Sequence, residues 1–438
     1  MPLVVALIGI AVLLLLIIVF RLNAFISFVI VSLVVGLGQG MPLDQVASSI
    51  QAGIGNTLGF LIIILGFGAM LGKLVADSGA AQRITTSLVD LFGVKNIQWA
   101  LVLTGFIVGI PMFYSVGFVI LVPLVFAVAQ TTRLPLLYVG LPMLASLSVT
   151  HGYLPPHPAP SAIAVMFDAD LGLTLIYGVV AAIPAIILAG PLFSRTLKRI
   201  NPTPPKDIFD LTPIPEEELP SLWISIVTAL FPLVLIGSSA VLQLLLPEGN
   251  TLRLISSYWG NPLLAMLLSV LVAIYTLGIQ RGKSMDDVMK SLVQAVSGIT
   301  MILLIIGGAG ALKQTLTDSG VSEYIGEILK GSSLSPLLLA WCIAAAIRVS
   351  VGSATVAGLT TAGIILPILS TTTVSGELMV LAIGSGSLMF SHVNDSGFWM
   401  FKEYFNLTMK ETLSTWTVME TIVSVTGLVS VLILQNFI

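Results

Sequence analysis

Charge is scarce in this chain. Asp, Glu, Lys and Arg together supply 9% of its 438 residues, against a usual share of about 25%. So few charges cannot clothe a water-facing surface, which excludes an ordinary soluble domain. Cysteine is nearly absent as well. Cys342 stands alone, ruling out an internal disulfide and any cysteine-based metal site. The formal net charge is −3, with no basic tail and no low-complexity tract, so nothing points to nucleic acid. The lack of a phosphate-binding loop removes support for ATP-driven work. Neither His-Glu-x-x-His nor Gly-x-Ser-x-Gly occurs, and no nucleophile–base pair is visible, so the chain does not read as an enzyme. The apolar run 3–20 lacks a basic start and a small-residue cleavage site. It reads as a first span rather than a signal peptide.

What the chain has is hydrocarbon. The residues AVILMFWYC make up 56% and the mean hydropathy is +1.07, so it reads as a polytopic, all-α membrane protein. Apolar runs near the length of a crossing, about 20 residues, occur at 2–20, 22–39, 54–76, 173–194, 222–246, 261–280, 297–316 and 413–437. The stretches 97–165 and 335–406 differ. Each is apolar but interrupted by Gly, Pro, Ser and His, and each is too long for two plain helices. Each predicts a re-entrant helical hairpin (97–131 and 335–370) followed by a broken helix (135–165 and 376–406). That gives about five crossings per half plus one hairpin.

The halves are related. Leu65-Gly66 through Asp77-Ser78-Gly79 to Ile84 aligns with Ile306-Gly307 through Asp318-Ser319-Gly320 to Ile325. Asp77 and Asp318 lie 241 positions apart, and so do His151 and His392. One offset shared by so many residues is a repeat signal. An odd number of crossings per half makes the copies inverted, and transporters of that design bind substrate where broken helices meet. The first repeat is 1–200, the second 221–438, and 201–220 is a linker. Arg195, Lys198, Arg199 and Lys206 put the linker in the cytoplasm. Both termini then fall outside. Only Arg253 and Lys330 oppose the positive-inside bias.

Four polar breaks carry the chemistry. The first hairpin tip reads Pro111-Met112-Phe113-Tyr114-Ser115-Val116-Gly117, and the first broken helix Thr150-His151-Gly152-Tyr153-Leu154-Pro155-Pro156-His157-Pro158. The second tip reads Arg348-Val349-Ser350-Val351-Gly352-Ser353-Ala354-Thr355, and the second broken helix Ser391-His392-Val393-Asn394-Asp395-Ser396-Gly397-Phe398-Trp399. Polar groups at that depth must face a cavity or each other. Both tips share Ser-Val-Gly, whose small residues and freed N–H groups suit an anion. Arg348 is the one basic residue deep in an apolar segment; it can hold a carboxylate bidentately or pair internally with Asp395. All three histidines, His151, His157 and His392, lie in breaks, and a histidine can carry a proton near neutral pH. Asp395 is another proton candidate, or a cap for the helix restarting near Phe398. Asn394 suits a hydroxyl. Lys73, Lys313, Asp77 and Asp318 read as structural or interfacial, and Glu420, inside the last span, as a pairing or interface residue, with a functional role as the lesser alternative.

Along nearly its whole length the chain resembles the bacterial gluconate:proton symporters, the GntP family, within the ion transporter superfamily. The resemblance rests on Met1-Pro2-Leu3-Val4, Gly40-Met41-Pro42-Leu43-Asp44, Gly66-Phe67-Gly68-Ala69-Met70-Leu71-Gly72-Lys73 and Ile97-Gln98-Trp99-Ala100. It rests equally on the run from Ser148 to Pro158, Gly352-Ser353-Ala354-Thr355-Val356-Ala357, the run from Phe390 to Trp399, and Lys402-Glu403-Tyr404-Phe405-Asn406-Leu407-Thr408. It implies uptake of gluconate or a close sugar acid with protons across the bacterial inner membrane, by a lipid-embedded homodimer. A moving domain would carry both hairpins against a scaffold, in the elevator manner. No cofactor or metal is implied; the coupling ion would be a proton, with sodium left open. One position departs from the pattern: the first tip of relatives commonly reads Phe-Tyr-Glu-Val-Gly, and this chain has Ser115. Either another group then titrates or coupling is impaired, whether the serine is natural or introduced.

Together these readings predict a sugar-acid carrier. Arg348 and the tip backbones would attract the carboxylate. Ser115, His151, Ser353, Thr355, Asn394 and Asp395 would meet hydroxyls, with Gly117, Gly152, Ser350 and Gly352 completing the site. Asp395, His392 or His151 would titrate. Another hydroxy acid or D-serine is the alternative substrate, and an anion channel the alternative class.

Overall fold

A computed structural model describes every residue except 1, 201, 203–213, 322–334, 370, 371 and 373. Lys206 and Lys330, and most of the 201–220 linker, therefore lie outside the described residues. Every regular element among the described residues is helical, because in hydrocarbon a helix satisfies its own backbone. Among the described residues six helices are long and apolar enough to cross a bilayer, or up to eight if two bent pairs each count as one span.

The apolar runs did not fix helix length. The run at 22–39 forms only Ala24–Gly38, 15 residues, about 22 Å at 1.5 Å per residue. Asn23 sets its start by capping: its side chain accepts from the Phe25 backbone N–H at 2.8 Å. The runs at 54–76 and 297–316 instead sit inside two much longer helices, Leu43–Asp77 and Met285–Asp318, of 35 and 34 residues. Their polar first turns reach beyond the apolar segment, which hydropathy does not register.

These two long helices pack antiparallel. Near one end Ser49 donates to Asp318 at 2.6 Å. A Cβ on Gly53 would sit 2.3 Å from the Gly310 carbonyl oxygen, so the backbones touch there. Near the other end Ser291 donates to Asp77 at 2.5 Å. Each aspartate's second oxygen is held from one turn back along its own helix, by Lys73 for Asp77 at 2.8 Å and by Gln314 for Asp318 at 2.9 Å. The two ends are thus the same construction made twice.

Ala24–Gly38 and Pro262–Ala273 pack on this pair. A second group of helices packs mainly on itself. The first hairpin is Ile97–Gly109 and Tyr114–Thr132; the second is Pro336–Val351 and Ala354–Leu369. The first broken helix is Leu136–Tyr153 and Pro158–Met166; the second is Gly376–Gly386 and Ser396–Tyr404. Leu171–Ile187 and the final helix close the group. The final helix begins at Met409, passes through a π-turn at Leu413–Thr417 and continues as Val418–Leu434. The broken helices meet at Gly152, whose carbonyl oxygen lies 2.5 Å from where a Cβ on Gly384 would stand.

The end of the linker is stapled down. Gln82 exchanges two hydrogen bonds with the Ile214 backbone. Arg83 binds Glu216 and the Pro220 carbonyl, and Arg281 binds the Glu218 carbonyl.

Candidate functional site

Both hairpin tips, both breaks and the final helix border one cavity of about 400 Å³. That is the size range of small-molecule sites, about 300–1,000 Å³.

The second hairpin contributes the charge. Its first helix ends at Gly352, which has φ +84 and would place a Cβ 2.1 Å from the Asn394 carbonyl oxygen. Only glycine fits that left-handed turn at so close an approach. Ser353 caps the next helix by accepting from the Val356 N–H at 3.3 Å. Arg348 sits in the last turn before the glycine, buried to 4% exposure. One guanidinium N–H group binds the Gly352 carbonyl, and another meets Asp395 Oδ2 at 2.5 Å. Arg348 Nε is buried without a hydrogen-bond partner.

The second broken helix supplies the counter-charge. Asp395 Oδ1 accepts from the Gly397 N–H at 2.9 Å, capping the restarting helix, while Oδ2 takes Arg348 and the Ser391 hydroxyl. Ser391 in turn accepts from the Trp416 indole N–H at 2.8 Å, and its carbonyl from the Thr417 hydroxyl at 2.5 Å. The π-turn of the final helix is what brings those two residues round to the break. π-Turns recur at functional sites.

The first half supplies neutral groups. His151 and His157 approach through their Nδ1 atoms at 3.3 Å, and His157 Nε2 lies 2.9 Å from the Gly109 carbonyl oxygen. With both rings neutral, His157 donates to Gly109, His151 donates to His157, and Nε2 of His151 is left as that ring's acceptor. Such an acceptor matches a substrate hydroxyl.

Of the residues singled out from sequence, Ser115, His151, Arg348, Gly352, Ser353, Thr355, Asn394 and Asp395 border the cavity. Gly117, Gly152 and Ser350 do not. Gly117 is packed beneath Leu147, Gly152 lies against Leu388, and the Ser350 hydroxyl is turned back to the Ala346 carbonyl. His392 is also absent from the lining; its Nε2 lies 2.9 Å from the Val349 carbonyl oxygen, which Asn394 shares at 2.8 Å. Sequence reasoning passed over Tyr114, Ser148, Met400 and Trp416, all of which face the cavity. For Glu420 it expected a pairing or interface role, with a functional one as the lesser alternative. Glu420 instead faces the cavity with neither carboxyl oxygen hydrogen-bonded. Among the described residues no three His, Cys, Asp or Glu side chains gather as metal ligands would.

A mixed lining of one arginine, two acids, hydroxyls, an imidazole acceptor and an indole suits a small anion rich in hydroxyl groups. It is not an ion pore lined by one sign of charge.

The comparisons agree with that class. The family described as GntP family permease matches residues 1–438. The high-affinity gluconate transporter of Escherichia coli (strain K12) is 55% identical over 435 residues, covering 99% of each chain. The Gnt-II system L-idonate transporter of the same organism is 53% identical, covering 99% of this chain and 98% of its own. Among solved structures, the Alcanivorax borkumensis YdaH transporter shares the fold with a TM-score of 0.64 at 17% identity, over 94% of this chain and 97% of that one.

Proposed function

This chain belongs to the GntP family of permeases, a multi-pass membrane transporter rather than an enzyme, and from that premise we propose that it imports gluconate or a related sugar acid together with protons. The observation that carries the proposal is the single cavity in which four interrupted helical segments gather around the Arg348–Asp395 pair. A gluconate carboxylate would be drawn toward the Arg348 guanidinium. Its hydroxyls would be matched by Ser115, His151, Ser353, Thr355 and Asn394. The membrane would be the bacterial inner membrane, with both termini outside.

Residues 1–200 and 221–438 would be inverted copies. The reciprocal bonds at Asp77 and Asp318 support this, since a two-fold axis in the membrane plane maps one long helix onto an antiparallel partner. Transport would be of the elevator kind, the hairpins and broken helices moving against the long helix pair, in a homodimer.

Purified protein in liposomes tests the reading. Labelled gluconate should enter saturably, faster under an inward proton gradient, and stop on addition of an uncoupler. L-Idonate should compete and D-serine should not. No saturable gluconate flux at any pH sinks the substrate assignment. Flux indifferent to both the gradient and the uncoupler sinks the proton half alone.

A further inference from the structure

One acid in the cavity is left over. Glu420 lies on the final helix just past the π-turn, is 1% exposed, and closes no full hydrogen bond through either carboxyl oxygen, with the Ser148 hydroxyl beside it as a weak donor. The other acid, Asp395, is fully engaged by a cap, a serine and Arg348.

Every element around Glu420 contributes a neighbour, and no cation forms an ion pair with it. The first hairpin presents Tyr114, whose hydroxyl is buried and unpartnered. The first broken helix presents Ser148, His151 and Tyr153, and the Tyr153 hydroxyl is spent on the Val423 carbonyl at 2.6 Å. The second hairpin presents Arg348, whose two terminal N–H groups are taken by Asp395 and Gly352 and whose charge reaches Glu420 only at a distance. The second broken helix presents Asp395, a like charge. A carboxylate buried with so little compensation is costly, and a proton is the smallest group that removes the charge. An arriving substrate anion adds a second negative charge to the same space. Proton and anion would therefore favour each other's binding, and linkage requires the effect to be mutual.

We propose that Glu420 is the proton-carrying group of the transport cycle, loading with the sugar-acid anion and unloading with it. The proposal rests on the proton-coupled reading above. It also moves the role away from the groups the sequence suggested, because Asp395 is tied into an ion pair and His392 lies off the cavity.

The test compares wild type with Glu420→Gln, the permanently uncharged counterpart, in liposomes. Two fluxes are measured: gluconate exchange at equal pH on both sides, and uphill accumulation driven by a proton gradient. Gluconate affinity is measured in parallel from pH 5 to 8. Accumulation should fall by at least about tenfold and the pH dependence of affinity should flatten, while exchange falls far less; coupling of this kind usually amounts to about 5–150-fold. Accumulation and a pH profile like wild type's overturn the proposal. So does an equal collapse of exchange and binding, which marks a contact or a structural residue. Should the amide fail to fold, Glu420→Met carries the same charge change without unmatched donors, and the same outcomes decide. Wild type that exchanges gluconate but never accumulates it refutes the proton-coupled reading itself, before any variant is compared.

Discussion

At Gly352 two demands fall on one residue: a left-handed backbone and contact with the Asn394 carbonyl. A left-handed alanine costs about 1–2 kcal/mol, and its methyl would in addition force the second tip and the second break apart. Gly352→Ala should lower the melting temperature and weaken gluconate binding by about tenfold or more; calorimetry on the purified protein decides, and unchanged affinity removes the tip from the site. Arg348 is a harder residue to read, because it serves both Asp395 and the cavity. Arg348→Ala leaves a partly buried aspartate, 14% exposed, without its cation, a loss of up to about 3 kcal/mol. Pairing it with Asp395→Asn should restore most of the stability and none of the affinity. Recovery of both together would mean that Arg348 only holds Asp395 in place.

Among elements, the long helix pair makes the clearest prediction. Asp77→Ala and Asp318→Ala each remove one bond between the helices, worth about 1 kcal/mol. They act at opposite ends of helices roughly 50 Å long, so the double variant should be the sum of the two within about 0.5 kcal/mol. Denaturation of the three variants in detergent checks it, and strong non-additivity would mean the ends are not independent clamps. The two Asp-Ser-Gly turns behind this were legible because such turns need particular residue types wherever they occur. The breaks were legible for the same reason, since Pro, Gly and His stand out against hydrocarbon. The π-turn at Leu413–Thr417 was not, because an extra residue in a helical turn leaves no mark on composition. With it went Trp416, which it turns onto Ser391, and the setting of Glu420. Tyr114 and Met400 were hidden otherwise: an aromatic or a methionine in a membrane helix looks the same whether it faces lipid, a neighbour or a cavity. His392 misled in the opposite direction. Its position in a break was visible, but the path of the break, which turns it to the Val349 carbonyl, was not.

Across the whole molecule the described helices sort into two packed groups, one around the long helix pair and one around the hairpins, broken helices and final helix. Almost every polar group of the cavity belongs to the second; the first reaches it through Ile302. Along the seam Lys313 of a long helix donates to the Met166 carbonyl at 2.8 Å, where the first broken helix ends, with exposed Asp168 beside it. If the second group travels as a body during transport, this contact has to break and re-form in each cycle. With Cys342 replaced by serine, Lys313→Cys and Asp168→Cys place two thiols across the seam, to be joined by a short bifunctional reagent. The joined protein should still bind gluconate in detergent but should carry none across a liposome membrane, and cleaving the link should restore the flux. Undiminished uptake by fully linked protein would show that the seam stays closed. The moving part would then have to be sought in the hairpin tips alone, where the Gly352–Asn394 contact leaves little room to move.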